Sequence, residues 1–583
     1  MRFDRLFTPS DGRPGGPARA PRRSVTGRRA ARAGAGAAIL VAIAVLAHAG
    51  EAHAGAVEAV RRAPSSEVPI AVEPSSAAGD TAPTESDPAP TSADSAPAAA
   101  PAATTTATTT TATAATTTAP VTTATASSAP STTSTAPLPG AHRIPQDHPH
   151  EPLATPGGHP AAPVEVAPGV TFVPGAQIYL RAQSRFNTNQ SPDPGDRQSD
   201  ILERARLSLG AKYGPVTAFV QVQDVRTWGF EASTVANEGN TDLHQGYLEI
   251  GGSRGERAGY LRVGRQEIVL GSKRLFADRN WNPNGQAFDA VRFHGQLGRF
   301  GADAVGLMLA PPQNFTVADP GGDPTLDQQV HSRGTYAGLF TLTSDLHRAF
   351  KSEVTVLGIS ERATPRAPTA KRDIVNLGGR IYGEVIPGLR YDVEGYAQLG
   401  ENMGLRHRAF MGLGEVGYAR ATPHKPGVFG RYTYFSGDRC TTTPDQGCGN
   451  AESHDFYRFF GLRHAYYGLV DRVGPSNLAD LEVGASIAAH PTVDISAGYH
   501  FFQLAQASGR WTNGPDQLVG KQWDPNNQSR NLGQEVDLVI NWRPWKPLTI
   551  QPGYGVFVPL AAGRDLSGPA AQHFVYLWMI ANF

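Results

Sequence analysis

The chain lacks an excess of either charge. Its 583 residues include 52 Lys and Arg against 52 Asp and Glu, so overall charge gives no indication of a nucleic-acid partner. Long stretches with helical periodicity are also absent, methionine is scarce at 5 residues, and glycine is abundant at 64. These features together favour a fold that is rich in β-strands.

The longest apolar run, Ala33 to Ala47, is too short for a comfortable membrane-spanning helix, which needs ~20 residues. Arginines precede it, and small residues in an A-x-A pattern follow at 47–49 and 52–54. Charged region, apolar region and cleavage site stand in the order of a secretory signal. We therefore expect a targeting segment over residues 1–54, with a single N-terminal anchor helix as the alternative.

Residues 55–168 consist largely of Ala, Thr, Pro and Ser, as in TTTATTTTATAATTTAP. No apolar periodicity is present that could offset the entropy lost on ordering, so this segment is predicted to be a disordered tether. Its histidines, His142, His148, His150 and His159, could bind a metal. Without cysteine partners in a proline-rich tract, a solvated linker is the preferred interpretation, and we expect no metal site and no cofactor.

From residue 169 to 583 the pattern changes to segments in which apolar and polar residues alternate, each bounded by Gly, Pro, Asn or Asp. In one of them Ile178 and Leu180 share a face, and Arg181 and Gln183 share the other. We count about eighteen such segments, near 176–186, 201–212, 215–224, 242–251, 259–269, 286–296, 301–310, 332–343, 349–360, 373–385, 389–400, 407–419, 427–437, 478–488, 492–504, 532–542, 547–558 and 572–583.

Short and long connections alternate between these segments. Turns of a few residues occur near 213–215, 344–347, 386–388 and 543–545, and longer loops occupy 187–200, 225–241, 268–285, 311–331, 438–477 and 505–531. This is typical of a bacterial outer-membrane barrel, all-β, antiparallel and of about eighteen strands. An even strand number places both termini and the tether on the periplasmic side. The basic and aromatic loop 268–285 is then expected to be exposed at the outer surface.

Several stretches resemble the alginate-export family of outer-membrane porins. They are RLSLGAKYG…AFVQVQDVRTWG (206–229), DLHQGYLEIGG (242–252), LRVGRQEIVLG…RLF…W…FDAVRF (261–293), RHAYYGLVDRVG…NLADLEVG (463–484) and GQEVDLVINWRP…LTIQPGYGVFVP (533–559). The resemblance covers nearly all of the barrel region and leaves out the tether. It implies an eighteen-stranded barrel that passes an anionic uronate polymer through a cation-lined pore, and it leaves other solutes open.

Strand parity predicts a set of arginines that face the lumen. They are Arg181, Arg185, Arg204, Arg206, Arg262, Arg292, Arg380, Arg390 and Arg431. A guanidinium presents a fixed fork of donors to a carboxylate, so these residues are the candidate solute path. Carboxylates are predicted to face the lumen as well: Glu249, Glu384, Asp392, Glu394, Glu535 and Asp537. Arg–carboxylate ladders that stiffen the wall are therefore the alternative. Four arginines in the first two strands favour one basic wall.

Two further motifs invite a functional interpretation. Glu267 in GRQE has no histidine or second carboxylate at a useful spacing, so a salt bridge at the rim is preferred to a catalytic role. His464 in HAYYG is interpreted as a loop-packing residue before a sugar-binding one. The sequence shows no nucleophile arrangement, metal-ligand cluster or phosphate loop, and we do not expect an enzyme.

The two cysteines, Cys440 and Cys448, flank a Thr/Pro/Gly-rich segment in the longest loop, CTTTPDQGC. After export this loop faces an oxidising compartment, so a disulfide that closes a small ring is expected. Metal binding by the pair is disfavoured, because two soft ligands alone do not complete a site.

The leading hypothesis is a porin that passively exports or admits an anionic saccharide or small anionic solute. Outer-membrane lipid surrounds it, and the tether is free to meet periplasmic export machinery or cell wall. The alternatives are a structural anchor barrel whose tether binds the cell wall, a general small-solute porin and, third, an outer-membrane enzyme. No nucleic-acid partner is expected.

Overall fold

The computed structural model describes residues 163–190, 196–229, 240–318 and 324–583. The predicted targeting segment 1–54 and the predicted tether up to residue 162 lie outside the described residues. The last part of the predicted tether range does not continue as a linker, because Val164–Ala167 forms a short strand that pairs with the start of the next one. The ordered structure therefore begins before the boundary expected at residue 169.

Eighteen antiparallel strands form one closed barrel, which confirms the predicted fold class. Their bounds are β1 Val170–Phe186, β2 Arg197–Tyr213, β3 Val216–Trp228, β4 Asn240–Arg254, β5 Arg257–Gln266, β6 Phe288–Leu297, β7 Phe300–Ala310, β8 Thr335–His347, β9 Phe350–Glu361, β10 Arg372–Ile386, β11 Leu389–Asn402, β12 Leu405–Ala419, β13 Gly427–Phe435, β14 Leu478–His490, β15 Val493–Leu504, β16 Asn531–Trp545, β17 Leu548–Pro559 and β18 Gln572–Asn582. Each strand pairs with its neighbours in sequence, and β1 closes the barrel on β18, with Arg181 opposite Trp578.

A few small elements lie outside the barrel wall. Gln313–Val317 and Gln328–Ser332 form a hairpin in the β7–β8 loop, and Glu452–Ser453 pairs in parallel with β12. Short 3₁₀ turns occupy Pro324–Leu326 and Pro444–Gln446. In the described parts of the chain the only α-helix is α1, Ala561–Ser567. No helix among those residues is long and apolar enough to cross a membrane.

Side-chain alternation gives the wall two different faces. On β1 and β2, Ile178 and Leu207 point outward with 56% and 63% of their surface exposed, whereas Tyr179 and Arg204 point inward with none exposed. An apolar outer band suits a barrel surrounded by lipid, where a closed sheet also leaves no backbone group unpaired along its edges. Period-2 alternation in the sequence thus becomes a lipid face and a lumen face.

The two rims of the barrel differ as the sequence predicts. One rim carries two-residue connections, such as 214–215, 255–256, 348–349 and 546–547, and the other carries the loops 267–287, 311–334, 436–477 and 505–530. Two connections depart from this rule. A two-residue turn, 403–404, lies on the long-loop rim, and a seven-residue connection, 420–426, lies on the short-turn rim.

The long loops do not stay outside the barrel. Residues 267–287 fold back into the lumen, where Ile268, Phe276 and Ala277 are almost completely buried and Trp281 is 8% exposed. The prediction that this loop is exposed at the outer surface is therefore wrong. Its apolar side chains gain about 25 cal/mol for each Å² removed from water, which favours packing within the barrel over display at its mouth.

Candidate functional site in the barrel lumen

Two loop segments pack together inside the barrel. We call residues 267–287 and 456–473 the plug. A single parallel bridge joins them at Phe276 and Phe460: Phe460 N–H donates to the Leu275 carbonyl at 2.9 Å, and Ala277 N–H donates to the Phe460 carbonyl at 3.2 Å. A third bond, from Leu462 N–H to the Lys273 carbonyl at 2.9 Å, lies outside that register. The two segments therefore form one unit across the lumen.

Aromatic packing fixes the plug against the last strand of the barrel. The rings of Trp281 and His464 stack with centres 3.8 Å apart, and Trp578 from β18 meets the edge of Trp281 at 5.1 Å. His464 also hydrogen-bonds Asp471 at 3.0 Å. Although burial opposes it, the neighbouring His464 and Arg185 lower the pKa of Asp471. His464 thus lies in the packing between loops, and burial lowers its pKa as well.

The arginines of β1 and β2 face the lumen and hold the plug. Arg181 donates to the Trp281 carbonyl oxygen at 2.8 Å, and its guanidinium lies 3.7 Å from the centre of that ring. Arg204, which is fully buried, donates to the Pro283 carbonyl oxygen at 3.0 Å. Carbonyl oxygens leave the positive charge of a guanidinium unneutralised, so this side of the lumen stays basic.

Arg206 and Glu267 meet in the same region. Glu267 follows the last residue of β5 and accepts hydrogen bonds from His244 at 2.8 Å and from Arg206 at 3.4 Å. Arg206 also donates to the Asn280 side chain at 2.9 Å. Glu267 is therefore part of an ion-paired, buried network that ties the plug to β2 and β4.

The remaining arginines predicted to face the lumen mostly pair with carboxylates of adjacent strands. Arg262 pairs with Glu249 at 2.6 Å, Arg292 with Asp303 at 2.7 Å, Arg380 with Asp392 at 2.6 Å, and Arg431 with Glu415 at 3.2 Å and with Glu482. Arg185 lies 3.5 Å from Asp471 of the plug, and Arg390 stands opposite Glu384 on β10. Ladders between strands thus account for four of the nine arginines, and the β1–β2 group is engaged differently.

The part of the lumen lined by β9 to β16 carries buried carboxylates. They are Glu353 on β9, Asp392 and Glu394 on β11, Glu415 on β12, Asp480 and Glu482 on β14, and Glu535 and Asp537 on β16. Two of them bind the plug through its backbone, because Val470 N–H donates to Glu535 at 2.8 Å and Leu469 N–H to Asp537 at 3.2 Å. Arg274 of the plug reaches Glu394 at 3.2 Å. The plug is therefore held by arginines of β1 and β2 and by carboxylates of β11 and β16.

One group of side chains has the composition of a metal site. Asp480, Glu482 and His500 bring ligand atoms within 4.8 Å of one another. His500 already hydrogen-bonds Asp480 at 3.1 Å, and Arg431 contacts Glu482. Each of the three side chains therefore already has a partner within the group or in Arg431.

Two outer loops and α1 cover the plug. Trp511 donates to the Arg472 carbonyl oxygen at 3.0 Å, and Lys521 N–H donates to the Leu566 carbonyl of α1 at 2.8 Å. A disulfide joins Cys440 to Cys448 in the β13–β14 loop. This ring packs on Trp523 of the β15–β16 loop, so it fastens two covering loops together.

Sequence reasoning did not place the plug residues Arg279, Arg458, Arg463 and Trp281 in the lumen. The signal was present, because DFYRFFGLRHAYYGLV (455–470) is far more apolar than a solvated loop needs to be. The alternation of side chains along a strand predicts which face of the barrel wall a residue occupies, but only for residues in strands. It therefore could not predict that a loop folds into the lumen.

The family model for alginate export matches residues 173–576, which include almost the entire barrel. The chain belongs to the alginate export family. It is an outer-membrane β-barrel channel, which confirms the resemblance noted in the sequence and the predicted localisation. No curated protein is a detectable sequence relative of this chain.

Solved structures of other barrels are also similar to this member of the alginate export family. Pseudomonas aeruginosa OccK8 (OprE) is 12% identical with a TM-score of 0.45, covering 71% of this chain and 98% of its own. Acinetobacter baumannii OccAB4 is 10% identical with a TM-score of 0.43, covering 70% of this chain and 98% of its own. P. aeruginosa OpdK, solved with vanillate, is 8% identical with a TM-score of 0.45, covering 70% of this chain and 98% of its own.

Proposed function

We propose that this channel passively conducts an anionic saccharide, such as an alginate-type uronate polymer, or a small anionic solute across the outer membrane. The observation that carries the proposal is the segregation of charge in the lumen. Arg181 and Arg204, which donate to carbonyl oxygens of the plug, stand beside Arg185 and Arg206 on β1 and β2, whereas most of the buried carboxylates in strands stand on β9 to β16. A carboxylate that passes along the basic side meets guanidinium forks that suit it.

The plug determines when that path is open. In the described arrangement Arg181 and Arg204 bind carbonyl oxygens of the plug, at positions that an anionic solute would otherwise occupy. Movement of the plug would free these donors and clear the lumen in one step. We therefore place the solute path between the plug and the β1–β2 wall.

Ion selectivity in planar bilayers tests the proposal. Neutralising Arg181 and Arg204 together, as Arg181→Gln with Arg204→Gln, should move the reversal potential toward cation preference, because the plug offers these two guanidinium groups carbonyl oxygens and no carboxylate. The shift should shrink at high salt, because screening shortens the range of fixed charges. The matched control neutralises Arg262 and Arg292, whose charges are already balanced by Glu249 and Asp303. An equal shift in both double variants would show that the basic wall has no special role.

A second function has its own support. The plug fills the lumen beneath the long-loop rim, which is what a structural anchor barrel with a cell-wall-binding tether would show. Conductance separates the two functions, because an anchor gives no current steps even when its plug is loosened. Current steps in a variant with a weakened plug, together with anion preference, would favour conduction.

A further inference from the structure

Three arginines meet where the two halves of the plug join. A single parallel bridge sets Phe276 opposite Phe460. Arg458 and Arg463 of the second segment both donate to the Gly514 carbonyl oxygen, at 3.2 and 2.8 Å, and the positive charge of Arg279 in the first segment lowers the pKa of both. Like charges held close together in a buried place disfavour one another unless an opposite charge lies among them.

The side chain of Arg279 has no hydrogen bond or ion pair with any residue that the structure describes. Its backbone is nevertheless held in place, because its φ is +51° and its carbonyl oxygen accepts the Asn282 N–H at 3.0 Å. A non-glycine residue in the left-handed region is uncommon and is often found at binding sites. The loop thus presents a fixed guanidinium whose donors are unused.

The other two arginines keep free donors as well. Arg458 donates through Nη1 to the carbonyl oxygens of Asn513 and Gly514, each at 3.2 Å, and its buried Nε has no partner. Arg463 donates through Nη1 to the Gly514 carbonyl oxygen at 2.8 Å. These bonds bring in the β15–β16 loop, so three loops converge on one basic junction.

Two carboxylates lie near these three guanidinium groups and do not balance them. Asp471 raises the pKa of Arg463, but it also hydrogen-bonds His464 at 3.0 Å and lies 3.5 Å from Arg185. Asp516 contacts Arg458, but its side chain is 55% exposed and its charge is screened by water. Burial together with Arg463 and Arg279 lowers the pKa of Arg458 to about 8, and burial with Arg279 lowers the pKa of Arg463 to about 10. The three positive charges therefore repel one another inside a poorly hydrated space.

We propose that Arg279, Arg458 and Arg463 form a binding site for a carboxylate anion, and that the bound anion holds the plug to the β15–β16 loop. The need for an anion rests on the arginines alone. The choice of a uronate as its natural form rests on the proposed function. Anion binding at the junction then controls whether the plug stays docked, which is a role separate from conduction along the β1–β2 wall.

Hydrogen exchange of residues 456–473 in the full chain, refolded in detergent, tests the site. Sodium galacturonate is the probe, and glucose with sodium chloride at the same ionic strength is the reference. In the wild type, galacturonate should slow exchange of this segment about tenfold relative to the reference, the effect of one charge-assisted hydrogen bond. Arg279→Gln should lose most of that response.

A charge reversal makes the test sharper. Arg279→Glu places a carboxylate at the junction itself, so it should slow exchange without any probe. Arg439→Gln is the matched control, because Arg439 is exposed in the same loop as Arg458 and should keep the full galacturonate response. The site is overturned if glucose with chloride protects as well as galacturonate, if Arg279→Gln responds like the wild type, or if Arg279→Glu exchanges as fast as Arg279→Gln.

Uronate current measured in bilayers separates this proposal from the proposed function. Galacturonate protection without any uronate current supports the junction site and overturns conduction. Uronate current without galacturonate protection supports conduction and overturns the site.

Discussion

The guanidinium carbon of Arg181 lies 3.7 Å from the centre of the Trp281 ring, and Nη1 of Arg181 donates a 2.8 Å hydrogen bond to the carbonyl oxygen of Trp281. One strand residue therefore holds both the face of the plug tryptophan and its backbone. Because His464 stacks on the ring at 3.8 Å, Trp281 also links the two halves of the plug.

Trp281→Ala should loosen the plug. Loss of a buried aromatic side chain typically costs about 3–5 kcal/mol, and most of the packing lost here is between the plug and the wall. Single-channel recordings should show many more open events than in the wild type. Trp545→Ala is the matched control, since Trp545 is 67% exposed on the opposite rim. Unchanged opening in Trp281→Ala would mean that the plug is held without its tryptophan.

Gly468 gives a second way to release the plug, from the acidic side. Its φ is +85°, and a Cβ built there would lie 2.4 Å from Glu535 Oε1, the atom that accepts the Val470 N–H. Gly468→Ala should therefore break this contact and add about 1–3 kcal/mol of backbone strain to the docked plug. We expect faster hydrogen exchange at residues 468–472.

The control for Gly468 is Gly412→Ala. A Cβ at Gly412 meets nothing within 4 Å, so exchange in the plug should not change. If both variants behave alike, the Glu535 contact does not hold the plug.

How far the sequence alone predicts this molecule depends on the range of the interactions involved. Strand periodicity is local, so all eighteen strands and their order could be predicted from alternation such as that of Ile178 and Arg181. The destination of residues 267–287 could not, because it depends on Arg181, Glu394 and Phe460, which are distant in sequence. Side-chain alternation along the strands predicts which arginines face the lumen. It does not predict their hydrogen-bond partners, because these depend on which loop folds into the lumen.

Acidity should strengthen the contact between the two covering loops. Asp455 and Asp438 both receive hydrogen bonds from Arg510 of the β15–β16 loop, at 2.6 and 3.0 Å. Burial and the neighbouring Asp438 raise the pKa of Asp455 from 3.8 to about 6. A raised pKa means that the docked form prefers the protonated carboxyl, so stability present at low pH is lost as pH rises through about 6.

Plug exchange or channel noise at pH 4.5 and 7.5 measures this effect. The wild type should show less channel noise and slower exchange at pH 4.5 than at pH 7.5. Asp455→Asn should show the same low noise and slow exchange at both pH values, because it mimics the protonated carboxyl. Asp445→Asn removes an exposed carboxylate from the same loop and should leave the pH response intact. Greater noise at pH 4.5 in the wild type would contradict the sign of the effect.

The disulfide should matter to the loops and not to the barrel. Trp523 donates its Nε1 hydrogen to the Thr442 carbonyl oxygen at 2.8 Å, inside the ring that Cys440 and Cys448 close. On the chain-entropy model such a small ring constrains the open loop by roughly 2–3 kcal/mol. Cys440→Ser with Cys448→Ser should therefore weaken the docking of Trp523 and raise conductance noise.

The eighteen-stranded wall is closed by its own backbone hydrogen bonds, so the double variant should keep the different mobility of boiled and unboiled samples in detergent gels. Trp523→Ala should reproduce the noise of the double variant with the disulfide intact, because both changes break the same contact between covering loops. Combining them should add little, since residues in contact are not independent. Mass spectrometry should first verify the disulfide in the parent protein. If the double variant then shows the noise level of the wild type, the disulfide does not help to join the two covering loops.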